Sequence, residues 1–398
     1  MAQLVKLFHP QLQQLLRHYY EVMLPLYIHG TFGIGKTEAV RRFVRAMADK
    51  MGLVFSDKWE DINNVSKFLF LEIPIHQFET AELKGIPVIC NHEDGTKYVK
   101  YIRPEMLPTI GQGAIFFDEI NLAFPSVQSN TYGLIDKKRL MDYEAPKGFM
   151  LIGAGNLIDD KGHTYEMAMP LKNRFMHVEL ETPSVTDRIQ YEEGHDGDPK
   201  YIKSVMKGWV NDFAIPAGVD VRVINYLLAN AGDIYKYEPK SREEIITCAT
   251  PRMWERVSTA IKGVTDLDFI ETLVSSGIGL GLGAKFVAFC KLANSYNVQE
   301  IFKLGKLTKP KESDQRFALI SALVGYYGEQ RKGEKTVTKS VTGLALILLK
   351  LSACFDPEHQ AMLLNQVKSV DETFFKRLRD AYPTEYASVT DPLFNLIT

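Results

Sequence analysis

Apolar residues recur in two different spacings over the first half of the chain. Residues 4–23 and 37–51 carry them at the spacing of amphipathic helices. Short apolar runs predict strands instead, at residues 24–29, 68–75, 114–117, 149–154 and 176–180. Because strands and helical stretches alternate, the pattern predicts a mainly parallel α/β sheet.

Two segments interrupt this alternation. Residues 86–103 hold β-prone residues around a polar tip at residues 92–95, which predicts a β-hairpin. Residues 139–149 predict a second, shorter hairpin with its turn near residues 145–148. We therefore expect two hairpins inserted among the alternating elements.

The pattern becomes mostly helical beyond Pro183. We place one domain boundary there and a weaker one near Gly263. The expected domains are a large α/β nucleotide-binding domain at residues 1–183, a helical lid domain at residues 184–262 and a helical extension at residues 263–398. The expected fold class is an α/β P-loop NTPase with a parallel sheet core, followed by helical domains.

A phosphate-binding signature follows the first predicted strand. Residues 30–37 read GTFGIGKT, a complete G-x-x-x-x-G-K-[ST] loop that opens a predicted helix. Its glycines allow successive N–H groups to point into one concavity, and the helix adds its N-terminal dipole. The Lys36 ammonium can reach the β- and γ-phosphates, and the Thr37 hydroxyl can bind magnesium. The expected nucleotide-binding residues of this segment are Gly30, Thr31, Phe32, Gly33, Ile34, Gly35, Lys36, Thr37 and Glu38. The alternative is a glycine turn before an ordinary helix.

An acidic pair, Asp118 and Glu119, ends the apolar strand at residues 114–117. Asp118 can hold magnesium directly or through water. Glu119 can orient or deprotonate the attacking water. The alternative is an exposed strand end with two solvated acids, which the phosphate loop disfavours.

Three further polar residues fit the same chemistry. Asn156 follows the fourth strand and can hold the lytic water between Glu119 and the γ-phosphate, although a turn cap is an equal reading. Arg174 precedes the fifth strand and could serve a neighbouring copy as an arginine finger, where the alternative is a surface salt bridge. Arg252 starts a helix and could reach the nucleotide from the second domain, where the alternative is a solvated arginine.

A second glycine-rich segment, residues 277–285, superficially resembles a nucleotide loop. No convincing strand precedes it, and no serine or threonine follows Lys285. We therefore interpret it as the close-packed or flexible beginning of a helix.

Bulk composition excludes several classes. The chain has 398 residues and a formal net charge of −2, which argues against a broad basic surface for nucleic acid. Its four cysteines are scattered, so neither a zinc site nor a disulfide framework is expected, and a reducing cytoplasm fits best. We see no signal peptide, and residues 341–355 are interrupted by Lys350, which favours a buried helix over a membrane span.

Taken in order, these motifs resemble the AAA+ ATPases and, within them, the MoxR-like group with a helix-2 insert. Residues 30–37 resemble Walker A, and residues 116–119 resemble Walker B. The run Asp-Glu-Ile-Asn-Leu-Ala at residues 118–123 is similar to that group's Asp-Glu-Ile-Asn-Arg-Ala. Asn156, Arg174 and Arg252 match sensor 1, the arginine finger and sensor 2. The two predicted hairpins fall where this group carries its insertions, and the resemblance covers about residues 20 to 262.

Three positions depart from the group's pattern. Phe32 stands where many relatives have proline, Leu122 where they have arginine, and Leu157 where proline is frequent. None of them touches the reacting centre, so they bear on the subgroup more than on the ATPase.

The resemblance implies a ring, usually a hexamer, with ATP and Mg²⁺ at subunit interfaces. It also implies a chaperone-like role on a protein client, often with a partner that bears a von Willebrand factor A domain. Three other hypotheses remain open: a nucleic-acid motor or loader on the same core, a monomeric P-loop kinase or GTPase, and a nucleotide-gated scaffold with slow hydrolysis. The guanine motif Asn-Lys-x-Asp is absent from the sequence.

Overall fold

The structure, a computed structural model, describes residues 4–157, 165–181, 209–237, 247–333 and 339–393. Contacts divide the chain into two compact units, Met1–Thr182 and Pro183–Thr398. The first unit carries the main sheet, whereas helices dominate the second, and each is described by itself. The expected division into three domains stays a prediction.

The strands of the first unit include every predicted apolar run. They are β1 Val5–Leu7, β2 Leu26–His29, β3 Val54–Ser56, β4 Lys67–Pro74, β5 Ile86–Asn91, β6 Lys97–Ile102, β7 Gln112–Asp118, β8 Arg139–Leu140, β9 Tyr143–Glu144, β10 Gly148–Gly155 and β11 Met176–Leu180. Seven of them form one sheet in the order β1-β11-β2-β10-β7-β4-β3. Every pairing in this sheet is parallel, so the predicted α/β sheet is confirmed.

Helices cover both faces of the sheet because its central strands are apolar on both faces. They are α1 His9–Glu21, α2 Lys36–Met51, α3 Thr80–Lys84, α4 Pro125–Lys137 and α5 Met169–Lys172. On one face the ring of Tyr20 in α1 lies 6.0 Å from Phe43 in α2 and 5.5 Å from Phe68 in β4. On the other face Leu134 of α4 joins the same buried cluster as Ile115 of β7.

The strand order decides which loops meet. In the register of the sheet, Gly155 of β10 pairs with His29 of β2, and Gly153 pairs with Phe117 of β7. Parallel strands end at the same edge, so the loops that follow β2, β10 and β7 lie side by side there. This edge gathers the phosphate loop, Asn156 and the acidic pair.

Two short strands were not expected. Val5–Leu7 were predicted as part of a helix at residues 4–23, but they form β1 beside β11, and α1 begins only at His9. Val54–Ser56 form β3 beside β4. Three residues are too few to show a period, so these edge strands are defined by the neighbours with which they pair.

The first predicted hairpin is confirmed, since β5 and β6 pair in antiparallel fashion. In the second hairpin, β8 and β9 are joined by Met141 and Asp142, with Met141 in the left-handed region at φ 50°. The expected turn at residues 145–148 is closed by a hydrogen bond from the Phe149 N–H to the Pro146 carbonyl, but it leads into β10. The turn signal was therefore real, and its assignment to the hairpin was wrong.

The second unit is helical in its described residues, apart from one isolated bridge. Its helices are α6 Val221–Ala229, α7 Pro251–Ile261, α8 Leu267–Ile278, α9 Leu280–Asn294, α10 Val298–Leu304, α11 Ser313–Gly333, α12 Lys339–Ser352, α13 Pro357–Val370, α14 Phe374–Ala381 and α15 Pro383–Thr390. The ring of Tyr226 lies 5.4 Å from Trp254 and 5.3 Å from Phe286 in one of its cores. Over the described ranges, every helix is too short or too polar to cross a membrane.

The glycine-rich segment at residues 277–285 forms the junction of α8 and α9. Gly279 makes the turn between the helices at φ 94°. A side chain at Gly283 would collide with Ser275 of the preceding helix. The interpretation as a close-packed beginning of a helix agrees with this geometry.

Candidate nucleotide-binding site

The glycine loop at residues 30–37 connects β2 to α2. Gly33 and Gly35 have positive φ angles of 74° and 93°, which residues other than glycine rarely adopt. A Cβ atom at Gly30 would lie 2.6 Å from the Ile34 Cδ1 and 2.9 Å from the Leu180 carbonyl oxygen. The loop therefore has both the backbone angles and the close approach that a phosphate cradle needs.

Lys36, the first residue of α2, is 7% exposed. Its Nζ donates to the carbonyl oxygens of Gly30 at 2.8 Å and Thr31 at 2.9 Å. It also donates to Oδ1 of Asn156 at 2.9 Å. The lysine thus joins the glycine loop to the residue that follows β10, two segments that are 120 residues apart in sequence.

Thr37 and the acidic pair meet across the same edge of the sheet. The Thr37 hydroxyl donates to Oδ2 of Asp118 at 3.3 Å, so two oxygen groups suited to magnesium stand together. The other carboxylate oxygen of Asp118 accepts from the Glu119 N–H at 3.0 Å. Glu119 itself has φ 53° and ψ 44°, a left-handed conformation that is uncommon outside glycine and that turns the chain sharply after β7.

Further residues contact the Glu119 side chain and the Asn156 backbone. Nδ1 of His76 lies 3.6 Å from Oε2 of Glu119. Nδ2 of Asn121 donates to the Asn156 carbonyl at 2.9 Å, which holds the backbone where β10 ends. A Cβ at Gly155 would collide with the hydroxyl of Tyr27 and the Asn121 side chain, so glycine is required there.

These residues fit a triphosphate and a magnesium ion. The Thr31 hydroxyl oxygen is buried and has no hydrogen-bond partner among the described residues, so the loop offers an unused polar group. Thr37 and Asp118 provide hard oxygen ligands, and Lys36 provides a fixed positive charge beside them. The roles of individual residues at this site remain predictions.

Arg174 lies on the turn between α5 and β11. Its Nη1 donates to the Pro170 carbonyl at 2.5 Å, and its Nε is 3.8 Å from Oδ2 of Asp136. The guanidinium also lies over the ring of Tyr132, 5.3 Å from its centre. The first unit therefore holds Arg174 against α4, and its predicted role toward a neighbouring copy stays a prediction.

Arg252 lies in the second unit, as the second residue of α7, and is exposed. The start of the helix is capped by Thr250, whose hydroxyl accepts a hydrogen bond from the Met253 N–H at 3.2 Å, and Pro251 occupies the first turn. The predicted contact of Arg252 with nucleotide therefore stays a prediction.

Two histidines beside the glycine loop were not identified as site residues from the sequence. His29 ends β2, and its Nε2 lies 2.9 Å from Nδ1 of His177. Burial, helped by the nearby His177, Lys172 and Lys36, lowers the pKa of His29 to about 4. No local motif marks such a pair, since its members are 148 residues apart and only the pairing of β2 with β11 brings them together.

A third histidine lies on the outer side of the loop. Nε2 of His9, the first residue of α1, would be 3.3 Å from a Cβ at Gly35. Burial against the loop, followed by the charge of Arg42, lowers the pKa of His9 to about 4. Its only sequence signal is a histidine before proline at a helix start, which is not specific.

Comparisons with solved structures find similarity at low sequence identity. The sequence matches no protein-family model and no curated protein. A RuvB mutant from Thermotoga maritima shares 12% identity over 74% of each chain, with a TM-score of 0.35. NtrX from Brucella abortus in complex with ADP shares 12% identity over 98% of this chain and 68% of its own, also with a TM-score of 0.35. Likenesses this distant decide nothing about the molecule.

The sheet and the loop geometry themselves identify the class of fold. A parallel sheet, a glycine loop that opens α2, and an acidic strand end separated from it by β10 together define an α/β P-loop NTPase fold. The predicted fold class is confirmed at this level, including its helical C-terminal region.

Proposed function

We propose that this chain is an AAA+ ATPase that hydrolyses Mg·ATP. The observation that carries the proposal is the convergence of three distant segments, in which Lys36 bonds to Asn156 and Thr37 bonds to Asp118. An ordinary glycine turn before a helix would need neither contact. Adenine is favoured over guanine because the sequence lacks the Asn-Lys-x-Asp motif.

Binding is the first task of these residues. Lys36 and the loop N–H groups attract and orient the phosphates, while Thr37 and Asp118 would hold magnesium. When bound there, magnesium neutralises charge on the β- and γ-phosphate oxygens. Fixed donors that need no rearrangement stabilise developing charge more effectively than water does.

Glu119 is the expected general base, and Asn156 is expected to hold the attacking water. Asp118 bonds to the Thr37 hydroxyl and to the Glu119 N–H, and the backbone turns sharply at Glu119, so we assign the two acids separate roles. His76 lies beside the Glu119 carboxylate, with its Nδ1 3.6 Å from Oε2 of Glu119. Oε2 of Glu38, in the first turn of α2, lies 3.9 Å from Nη1 of Arg41. Glu38 would lie beside the phosphates because it belongs to the same helix end.

Arg174 would complete the site of an adjacent copy in a ring, with a hexamer as the expected size. Its contacts with Pro170, Asp136 and Tyr132 hold it beside α4. A charge supplied in trans in this way contributes about 10³-fold or more to the rate in related chemistry.

The work of the ring would be the remodelling or assembly of a protein client. The exposed apolar side chains of the β5–β6 hairpin support this part of the proposal: Ile89 is 74% exposed and Val99 is 55% exposed. A MoxR-like role, with a von Willebrand factor A partner in the cytoplasm, is the specific form that the sequence resemblance suggests. Arg252 would sense the nucleotide from the second unit.

A subunit-mixing experiment tests the shared site. Glu119→Gln retains a normal Arg174 but lacks the base, whereas Arg174→Ala retains the base but lacks the finger. Each variant alone should be nearly inactive. A mixture should recover activity, because at some interfaces the Arg174→Ala subunit supplies Glu119 and the Glu119→Gln subunit supplies Arg174. Light scattering with Mg·ATP measures the ring, and a strictly monomeric, fully active protein would contradict the proposal.

A further inference from the structure

A chain of hydrogen bonds leads from the strand before the glycine loop to the turn that carries Arg174. Tyr27 of β2 pairs with His177 of β11, so His29, two residues further along β2, lies on the same face of the sheet as His177. Nε2 of His29 is 2.9 Å from Nδ1 of His177. Nε2 of His177 is 2.6 Å from the Lys172 carbonyl oxygen.

The acceptors fix the direction of these bonds. A carbonyl oxygen only accepts, so Nε2 of His177 carries the proton and donates to Lys172. In the neutral ring Nδ1 then accepts, and His29 is the donor to it. The low pKa of His29, about 4, keeps that ring neutral near neutral pH.

The Lys172 carbonyl also closes the turn on which Arg174 sits. Lys172 is the last residue of α5, and its carbonyl accepts from the Phe175 N–H at 3.2 Å. The Arg174 N–H donates to the Leu171 carbonyl at 3.1 Å. Because α5 has only four residues, it has little stability of its own, and outside bonds decide its orientation.

The Arg174 side chain is bonded to the same short helix, since its Nη1 donates to the Pro170 carbonyl of α5. Its ion pair with Asp136 has an N–O distance of 3.8 Å, and its Nε is buried without a hydrogen-bond partner among the described residues. The backbone of the turn therefore determines where the guanidinium starts. A shift of about 1 Å in such a group costs on the order of 10²-fold in rate.

We propose that His177 is a positioning residue for Arg174, and that His29 holds the ring of His177 in place. In each subunit, strand β2, which leads into the glycine loop, would then determine the position of Arg174. Arg174 is the residue that this subunit contributes to the neighbouring site. This inference rests on the proposed trans role of Arg174. A simple packing role for the two histidines is the competing explanation.

Two substitutions at one position separate these explanations. His177→Phe keeps a ring but removes the donor to Lys172, and we expect kcat for ATP to fall about 10²-fold with KM changed less than about threefold. His177→Gln can place an amide N–H near the original Nε2, and we expect it to recover most of kcat. Equal loss in both variants would overturn the inference.

Amide hydrogen exchange on the protein without nucleotide gives a readout independent of activity. The amides of Arg174 and Phe175 should exchange faster in His177→Phe and at the normal rate in His177→Gln. Unchanged exchange in His177→Phe would overturn the inference. Should that variant not fold, His177→Asn replaces it, because its shorter amide does not reach Lys172.

Subunit mixing tells whether His177 acts on the neighbour's site. His177→Phe mixed with Glu119→Gln should recover activity, as Arg174→Ala mixed with Glu119→Gln does. If only the Arg174 mixture recovers, the shared site stands and the role of His177 is overturned. If neither recovers, the trans site itself is wrong and the inference falls with it.

Discussion

Nζ of Lys36 donates to Oδ1 of Asn156 at 2.9 Å. Lys36 is the first residue of α2 and Asn156 directly follows β10, and the bond joins these two segments at the carboxyl edge of the sheet. From the sequence alone, a turn cap is an equal interpretation of Asn156. Its contact with Lys36 favours the interpretation in which it belongs to the phosphate site, and its catalytic role stays a prediction.

Replacement of Lys36 by alanine should weaken ATP binding. A hydrogen-bonded charge contributes about 1.5–3 kcal/mol, which corresponds to roughly a 10- to 150-fold increase in Kd. Titration with a fluorescent ATP analogue measures this change, and circular dichroism establishes that the variant is folded. Lys50→Ala, at the exposed far end of α2, is the matched control and should bind normally. Unaltered binding by Lys36→Ala would remove the basis of the proposed function.

Replacement of Glu119 by glutamine should separate binding from turnover. The amide keeps the size of the side chain but cannot accept the proton, so kcat should fall about 10²- to 10⁴-fold. ATP affinity should stay within about threefold, since binding depends on the glycine loop. Phosphate release and nucleotide titration measure the two effects, and a normal turnover rate would show that another group is the base.

Replacement of Gly155 by alanine should destabilise the first unit. The added methyl group would collide with the Tyr27 hydroxyl and the Asn121 side chain, and such overpacking costs about 1–3 kcal/mol in the free energy of unfolding. Gly325→Ala in α11 is the control: it has open space around it and should gain about 0.5–1 kcal/mol. Denaturant unfolding measures both, and a neutral Gly155 variant would contradict the packing.

Acidification should destabilise the fold partly through His29. The folded pKa is about 4 and the unfolded value is 6.5, so the unfolded chain binds more protons between these values. Stability is therefore unaffected by this group above pH 6.5 and falls as the pH decreases toward about 4.

The substitution His29→Gln isolates that share of the pH dependence. The glutamine does not titrate, so the variant should lose less stability than the parent chain between about pH 7.5 and about pH 5. Urea unfolding at both values measures the difference. An identical loss in the two proteins would mean that His29 is protonated in the fold as easily as in the unfolded chain. His9 has the same direction of shift and remains in both proteins, so its effect cancels.

The sequence was sufficient to predict features that depend on residues close together in the chain. The glycine loop, the start of α2 and the strand ending in Asp118 are each defined by residues within a few positions of one another, and the structure has all three. Apolar runs likewise predicted the central strands, because burial on both faces leaves a continuous signal. The short edge strand Val5–Leu7 carries no such signal, and the helical spacing of residues 4–23 wrongly predicts helix there.

Tertiary structure decided everything that depends on register. The order and offset of the parallel strands decide which side chains face one another across β2, β10 and β11. Neither the order nor the offset can be predicted from a single segment of the sequence. The His29–His177 pair and the requirement for glycine at Gly155 therefore emerged only from the fold. The sequence determined that this chain has a phosphate loop and an acidic strand end, since both are local; their assembly into one site arose from contacts between residues far apart in the chain.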